Sequence, residues 1–308
     1  VGLTIPYLLT GLLGAGSVVV VLTQGALPDL FPATAGGTPS WLTNLTISAV
    51  VLIYVSLGGL RGAAWANTFQ TIVFLLTGVT ATALIAGKLG GAQAATQAVL
   101  AAHPEKLILG EAVPPLVFLA YGLIPLSVGT FPHVFQHCLT ARSAKAFKLT
   151  IVGHPLFIAL LWTPCVLIGV WATSAVMPDG SLVVPLQHAP NSELGLMVQK
   201  LTTPFIGGLL GAGILAAIMS SLDSQFLAIS SIFTNDIVGH YVSADRLNDR
   251  QRVRLGRLFV VLIVAVTFGL SLLEPRSVFA LGVWCFSGFA ALFPLVVAAL
   301  YWKRTTCS

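Results

Sequence analysis

Charge is what this sequence has least of. Asp, Glu, Lys and Arg make up 8% of its 308 residues, while 56% are hydrophobic and mean hydropathy is +0.94. Soluble domains carry about 25% charged residues, so most of this surface cannot face water and a soluble enzyme domain is excluded. Cysteine is sparse too: Cys138, Cys165, Cys285 and Cys307 are scattered with no CxxC pair, which points to neither a disulfide framework nor a thiolate metal site. No GxSxG or HExxH string occurs, so serine and zinc intramembrane proteolysis lack their nucleophile and their ligands. The chain opens on Val-Gly-Leu-Thr without Met, a basic n-region or a small-residue cleavage site, so no signal peptide is visible and the chain reads as an internal fragment.

What is present is a series of long apolar runs, at 1–24, 41–57, 65–87, 114–131, 149–176, 204–233, 255–273 and 277–302. Each is about the length of a membrane-crossing helix, and only helices satisfy their backbone in lipid at such lengths. The expected fold is all-α and polytopic, one membrane domain of about eight spans over 1–308. Pro28, Pro32, Gly36-Gly37, Gly58-Gly59 and Pro178-Asp179-Gly180 punctuate the breaks. With the first span starting inside, eleven basic residues fall inside, including Arg61, Arg142, Lys145, Lys148, the cluster from Arg246 to Arg257, and Arg304. Lys88, Lys106, Lys200 and Arg276 stay outside. The positive-inside rule then makes both ends cytoplasmic, in a plasma or bacterial inner membrane. The formal charge of +5 is this orientation signal near anionic lipid, not nucleic-acid affinity.

Of the ten acids, Asp29, Glu105, Glu111, Asp179, Glu193 and Glu274 lie outside, and Asp236, Asp245 and Asp249 inside. Asp223 alone remains at membrane depth, where a lone ionisable group marks a polar pathway or an ion site. An aspartyl protease would need a second carboxylate. At 100° per residue Gly213, Ala217, Ser220, Ser224 and Ser231 share one face of the sixth span, with Ser221 and Asp223 flanking them. Small residues and hydroxyls in this pattern also make a helix-packing seam, but a seam has no use for a charge. Hard oxygen donors suit an alkali cation.

The sixth-span string 217–225 through Asn235-Asp236, the third-span entry from Gly58-Gly-Leu to Asn67-Thr-Phe-Gln70, and the fourth-span exit 131–137 followed by 140–145 resemble the sodium:solute symporter family. The resemblance implies a five-plus-five inverted-repeat fold around a mid-membrane site. The eight spans then correspond to core helices three to ten, with the second repeat over approximately 114–302 and the first two core helices absent. It implies a sodium site formed by the Ala217 carbonyl and the Ser220 and Ser221 hydroxyls. Some members similar to it have an additional cation site, which would use Asp223 and Ser224. There the family usually has an Asp where this chain has Asn67, so either the charge has moved to Asp223 or the site is lost.

By the same analogy the fourth span is broken within the stretch from Tyr121 to Thr130, which has the Gly and Pro a break needs, and Tyr121, Ser127 and Thr130 face a solute cavity. A proline-kinked packing helix is the alternative. His133 and His137, four apart, have metal-ligand spacing but no third partner in sequence; a gate or interface role for His137 is the simpler reading. Gly207-xxx-Gly211 is a helix-contact motif. The implied function is sodium-coupled uptake of a small organic solute across the membrane by alternating access, by a protein embedded in the lipid bilayer, with sodium ion as coupling ion and no covalent chemistry. The alternatives are a proton-coupled symporter using Asp223, and a transporter-like sensor feeding an attached signalling domain.

Overall fold

The computed structural model describes residues 2–108, 110, 113–141, 143–242, 248–273 and 277–303. Arg142, Arg246, Arg276, Arg304, Glu111, Asp245, Glu274 and Cys307, used above, lie outside the described residues. The helices in chain order are α1 (Thr4–Leu22), α2 (Ser40–Gly59), α3 (Arg61–Lys88), α4 (Ala92–Ala102), α5 (Pro115–Leu123), α6 (Pro132–Thr140), α7 (Phe147–Trp171), α8 (Glu193–Leu201), α9 (Pro204–Ile232), α10 (Asp249–Ser271), α11 (Val278–Ala290) and α12 (Phe293–Tyr301). Among the described residues the β structure is one isolated bridge, Val176 to Leu182. Seven helices are long and apolar enough to span a bilayer, and up to eight if the bent α5–α6 pair counts as one span. The chain is therefore an all-α polytopic membrane protein, as its runs predict.

Two of the breaks have clear backbone causes. The run Ser40–Lys88 splits at Gly59, whose φ of 56° and ψ of −156° lie where a side chain is excluded. The fourth span bends by 45° between α5 and α6. Within the stretch from Tyr121 to Thr130 the chain tightens into a 3₁₀ segment, Ile124–Thr130, and it turns just after, at Phe131 (φ −60°, ψ 128°). Pro132 dictates this, because the residue before a proline is pushed out of the helical region. The sixth span continues past α9 through a π-helical stretch, Phe233–Val238, to Tyr241. Two short helices, α4 and α8, fall within the connections and were not foreseen.

Helix α9 is central, packing against α1, α2, α3, α6, α8 and α10. Its glycines permit this: a Cβ on Gly211 would lie 2.5 Å from Leu22 Cδ1, and one on Gly213 would collide with Thr77 of α3. One apolar core joins Leu8, Leu12, Val51, Leu222, Ile229 and Ile263. A second, at the other end, joins Ile85, Val99, Trp171, Val183, Met197 and Leu210. Leu57, Trp65, Phe69, Leu149 and Phe205 remain exposed, as expected of side chains that meet lipid rather than water.

Candidate functional site

The polar face of α9 divides into two oxygen clusters. In the first, the Ser221 hydroxyl donates to the Ala217 carbonyl at 3.5 Å, Ser220 stands one position earlier, and Ser221 is exposed. The Ser220 hydroxyl lies 3.0 Å from the Asn67 amide, on the side of Asp223, so of these three residues only Ala217 and Ser221 are joined here. Gln225 lies a turn further on, donating to the Ser221 carbonyl at 3.0 Å while its own Oε1 is buried without a partner.

The second cluster surrounds Asp223, which is fully buried at 0% exposure. Tyr54 of α2 donates to its Oδ2 at 3.0 Å, and the neighbouring Ser224 hydroxyl lies 3.2 Å from Oδ1. Asn67 reaches across from α3, so the structure does bring Asn67, Asp223 and Ser224 together. One end of its amide meets Ser224 Oγ at 2.8 Å. The other end lies 3.0 to 3.3 Å from Ser220 Oγ, the Ser220 carbonyl, both Asp223 carboxylate oxygens and Gln70 Oε1. Only a nitrogen can donate there, so without a cation the amide turns its nitrogen to Asp223 and accepts from Ser224. Two N–H groups cannot serve five acceptors. The site holds a surplus of oxygen acceptors around one ionisable carboxyl group.

Among the described residues the ion pairs are His103–Glu105 and His188–Glu193, so no described basic side chain compensates Asp223. A buried carboxylate is costly unless paired or neutralised. One carboxylate, an amide oxygen, hydroxyls and a carbonyl are hard donors of low total charge, which fits a monovalent cation. Among the described residues no group of three His, Cys, Asp or Glu could hold a metal ion, so the His133 and His137 spacing is not a zinc site. His133 instead stacks on Phe131, rings 5.6 Å apart. His137 lines a small cavity with Asn67 and Ser224. Cys138, Cys165 and Cys285 are free thiols.

Tyr121, Ser127 and Thr130 line neither the cavity beside Asn67 and Ser224 nor the one beside Ser230 and Arg257. The Thr130 hydroxyl is committed to structure, donating to the Ser127 carbonyl at 2.8 Å and the Phe289 carbonyl at 2.7 Å. Ser127 is buried at 1%, and Tyr121 lies 38% exposed on the outside of α5. Tyr54 and Gln70 were missed in the sequence. Gln70 carried a signal, standing three residues after Asn67 on the same helix face; Tyr54 carried none, because only packing brings α2 against Asp223.

Comparison with known proteins follows the same lines. A sodium/proline symporter of Haemophilus influenzae is 26% identical over 272 residues, covering 85% of this chain and 53% of the relative. One of Staphylococcus aureus is 28% identical over 272 residues, covering 85% and 51%. The chain thus spans about half the length of the curated relatives it matches. A solved structure of a Na+-coupled sialic acid symporter in a substrate-bound, outward-open state superimposes over 97% of this chain and 68% of that one, with a TM-score of 0.66 at 20% identity; this shows a shared fold. The characteristic sequence of the sodium:solute symporter family matches residues 32–308, and the chain belongs to that family.

Proposed function

We propose that the protein is a symporter that couples inward sodium movement to uptake of a small organic solute across the cytoplasmic membrane, and not an enzyme. The observation that carries this is the oxygen-rich face of α9, with a wholly buried Asp223 that no basic group neutralises. Sodium is held by the Ala217 carbonyl and the Ser220 and Ser221 hydroxyls; a further cation is held by Asp223 and Ser224 of α9 with Asn67 of α3. A cation entering the second cluster turns the Asn67 amide, so that its oxygen joins the carboxylate in the coordination shell. The relatives named for proline, and the structural neighbour for sialic acid, support a small solute without fixing which one.

Alternating access needs no bond making. One charge crossing 100 mV contributes about 2.3 kcal/mol, so one or two ions supply a useful gradient. The spans act as core helices three to ten of the inverted-repeat fold, with the second repeat over approximately 114–302. The helix ends near Gly59 and Tyr241 face the cytoplasm, following the basic residues. Solute binds near the broken α5–α6 span, in a pocket completed by the remainder of the full-length protein.

The test uses the full-length protein in detergent, with its thermal midpoint followed while sodium is titrated against choline. A ligand that binds only the folded state raises the midpoint, by about 2.7 kcal/mol of stability at a hundredfold excess over Kd. Sodium stabilises the wild type, and Ser220→Ala weakens the effect because Ser220 lines both clusters. Indistinguishable titrations in sodium and choline overturn the sodium assignment. The donors grouped around the buried Asp223 would equally cradle a carboxyl group, which favours proton coupling as the second reading; sodium-independent uptake driven by a pH gradient selects it.

A further inference from the structure

Two cavities lie beyond Asp223 on the side of Gly59. The first, about 140 Å³, is walled by Asn67 and Ser224 and by Gln136, His137 and Leu227; this is room for a few waters, and the walls offer them polar partners. The second, about 490 Å³, is lined by Ser230, Ser231, Thr234 and Asn235 near the end of α9 and by Arg252 and Arg257 of α10. Gln136 and Leu227 line both, so these two side chains form the wall between them. On α9, Ser220, Ser224, Leu227 and Ser231 fall within about 60° of one another. Leu227 is therefore the one apolar side chain in a file of hydroxyls that runs from the cation cluster to the larger cavity.

We propose that a cation leaves the Asp223 cluster through these two cavities and that Leu227, opposed by Gln136 of α6, is the partition that controls its passage; this rests on the sodium-coupled reading above. An apolar constriction between two hydrated spaces blocks an ion by excluding its water, without sealing the backbone. Arg257 in its wall disfavours a resting cation, so the larger cavity is an outlet and not another binding site. The Asn67–Ser224 hydrogen bond at 2.8 Å closes the small cavity off from the carboxylate. Turning the Asn67 amide therefore both fills the coordination shell and changes what the departing ion meets.

The experiment measures exchange of radioactive sodium by the full-length protein in proteoliposomes, alongside the sodium-induced rise in thermal midpoint in detergent. Leu227→Ser completes the hydroxyl file and speeds exchange by about tenfold; Leu227→Trp fills the constriction and slows it by about tenfold. In both, the sodium concentration giving half the rise in midpoint stays within about twofold of wild type, because neither touches a ligand. Gln136→Leu, on the opposing helix, slows exchange in the same way and guards against a variant that fails to fold. Exchange unchanged in all folded variants while sodium still stabilises them overturns the partition. No sodium-induced rise in the wild type overturns the coupling reading itself, and the two failures are distinguishable.

Discussion

At Asp223 a carboxylate sits out of water with hydrogen bonds but no countercharge, and stability and function pull in opposite directions there. Removing an uncompensated buried charge while keeping the side chain's shape relieves a penalty that is strongly destabilising for unpaired ions. Asp223→Asn is thus expected to raise the thermal midpoint in choline, yet to need at least about tenfold more sodium for the same stabilisation, or about 1.4 kcal/mol of lost affinity. Unaltered sodium sensitivity in that variant would remove Asp223 from the cation site. The partner Asn67 gives a sharper test. Asn67→Asp alone places a second carboxylate within 3.1 Å of the first, where two like charges cannot both ionise cheaply, and Asp223→Ser alone leaves no charge. The double variant restores one carboxylate on the opposite wall, so its sodium dependence should match wild type while both singles fail; a double variant as poor as the worse single disproves the exchange of roles. Asp223 was legible in the sequence because it is the lone acid at membrane depth. Tyr54 was not, because a tyrosine in an apolar span looks like packing until a neighbouring helix supplies its acceptor.

The same contrast holds for whole elements. Membrane spans declare themselves by length and apolarity, so seven of the runs became spanning helices and the other the bent α5–α6 pair. Helices α4 and α8 hid because they are only 11 and 9 residues long, too short to span, and the apolar residues of α4 are mostly alanine; they bury Ala95, Val99, Met197 and Val198 against the end of the bundle. The α5–α6 break was legible from its prolines, but the role of Thr130 was not. Its hydroxyl fastens the 3₁₀ segment to the Phe289 carbonyl of α11; Thr130→Val removes that tie but leaves the carbonyl its bond from the Leu292 N–H, and should cost about 0.5–1.5 kcal/mol of stability. That loss appears in the thermal midpoint with and without solute; a variant that alters only solute affinity would return Thr130 to the cavity. At the start of α8 a pH effect is expected. Both His188 ring nitrogens face acceptors, Pro185 O at 2.8 Å and Glu193 Oε1 at 2.9 Å, which only the imidazolium satisfies. The bond to Glu193 raises the His188 pKa above its ordinary 6.5, outweighing desolvation, with the Pro185 carbonyl adding to it. A raised value means that the stabilisation is complete below about pH 6.5 and fades as pH rises through the folded-state value. His188→Gln should flatten that decline in a midpoint measured from about pH 6 to about pH 8; an unchanged profile would assign the decline to other groups.

At the scale of the molecule the two ends of the bundle are built differently, and the difference bears on the direction of transport. One end is capped: α4, α8 and the chain from Ala172 to Val184 pack over Ile85, Trp171 and Leu210 in a continuous apolar core. The other end carries Arg61, Lys145, Lys148, Arg250, Arg252, Arg254 and Arg257, and opens into the cavity beneath Leu227. Basic residues in short connections are retained on the cytoplasmic side during insertion, so the orientation we propose puts the capped end outside and the cavity inside. A gradient directed inward then drives a cation from the α9 face toward Leu227 and out past it, which is the direction uptake requires. The orientation can be read in intact cells with single cysteines placed at Ser181, in the capped end, and at Asp249, at the start of α10, after Cys138, Cys165, Cys285 and Cys307 are all changed to serine. An impermeant maleimide should label the Ser181 position directly and the Asp249 position only after permeabilisation. The reverse pattern would turn the molecule over and make the same path an entry for sodium, so that inward coupling through Leu227 could not hold.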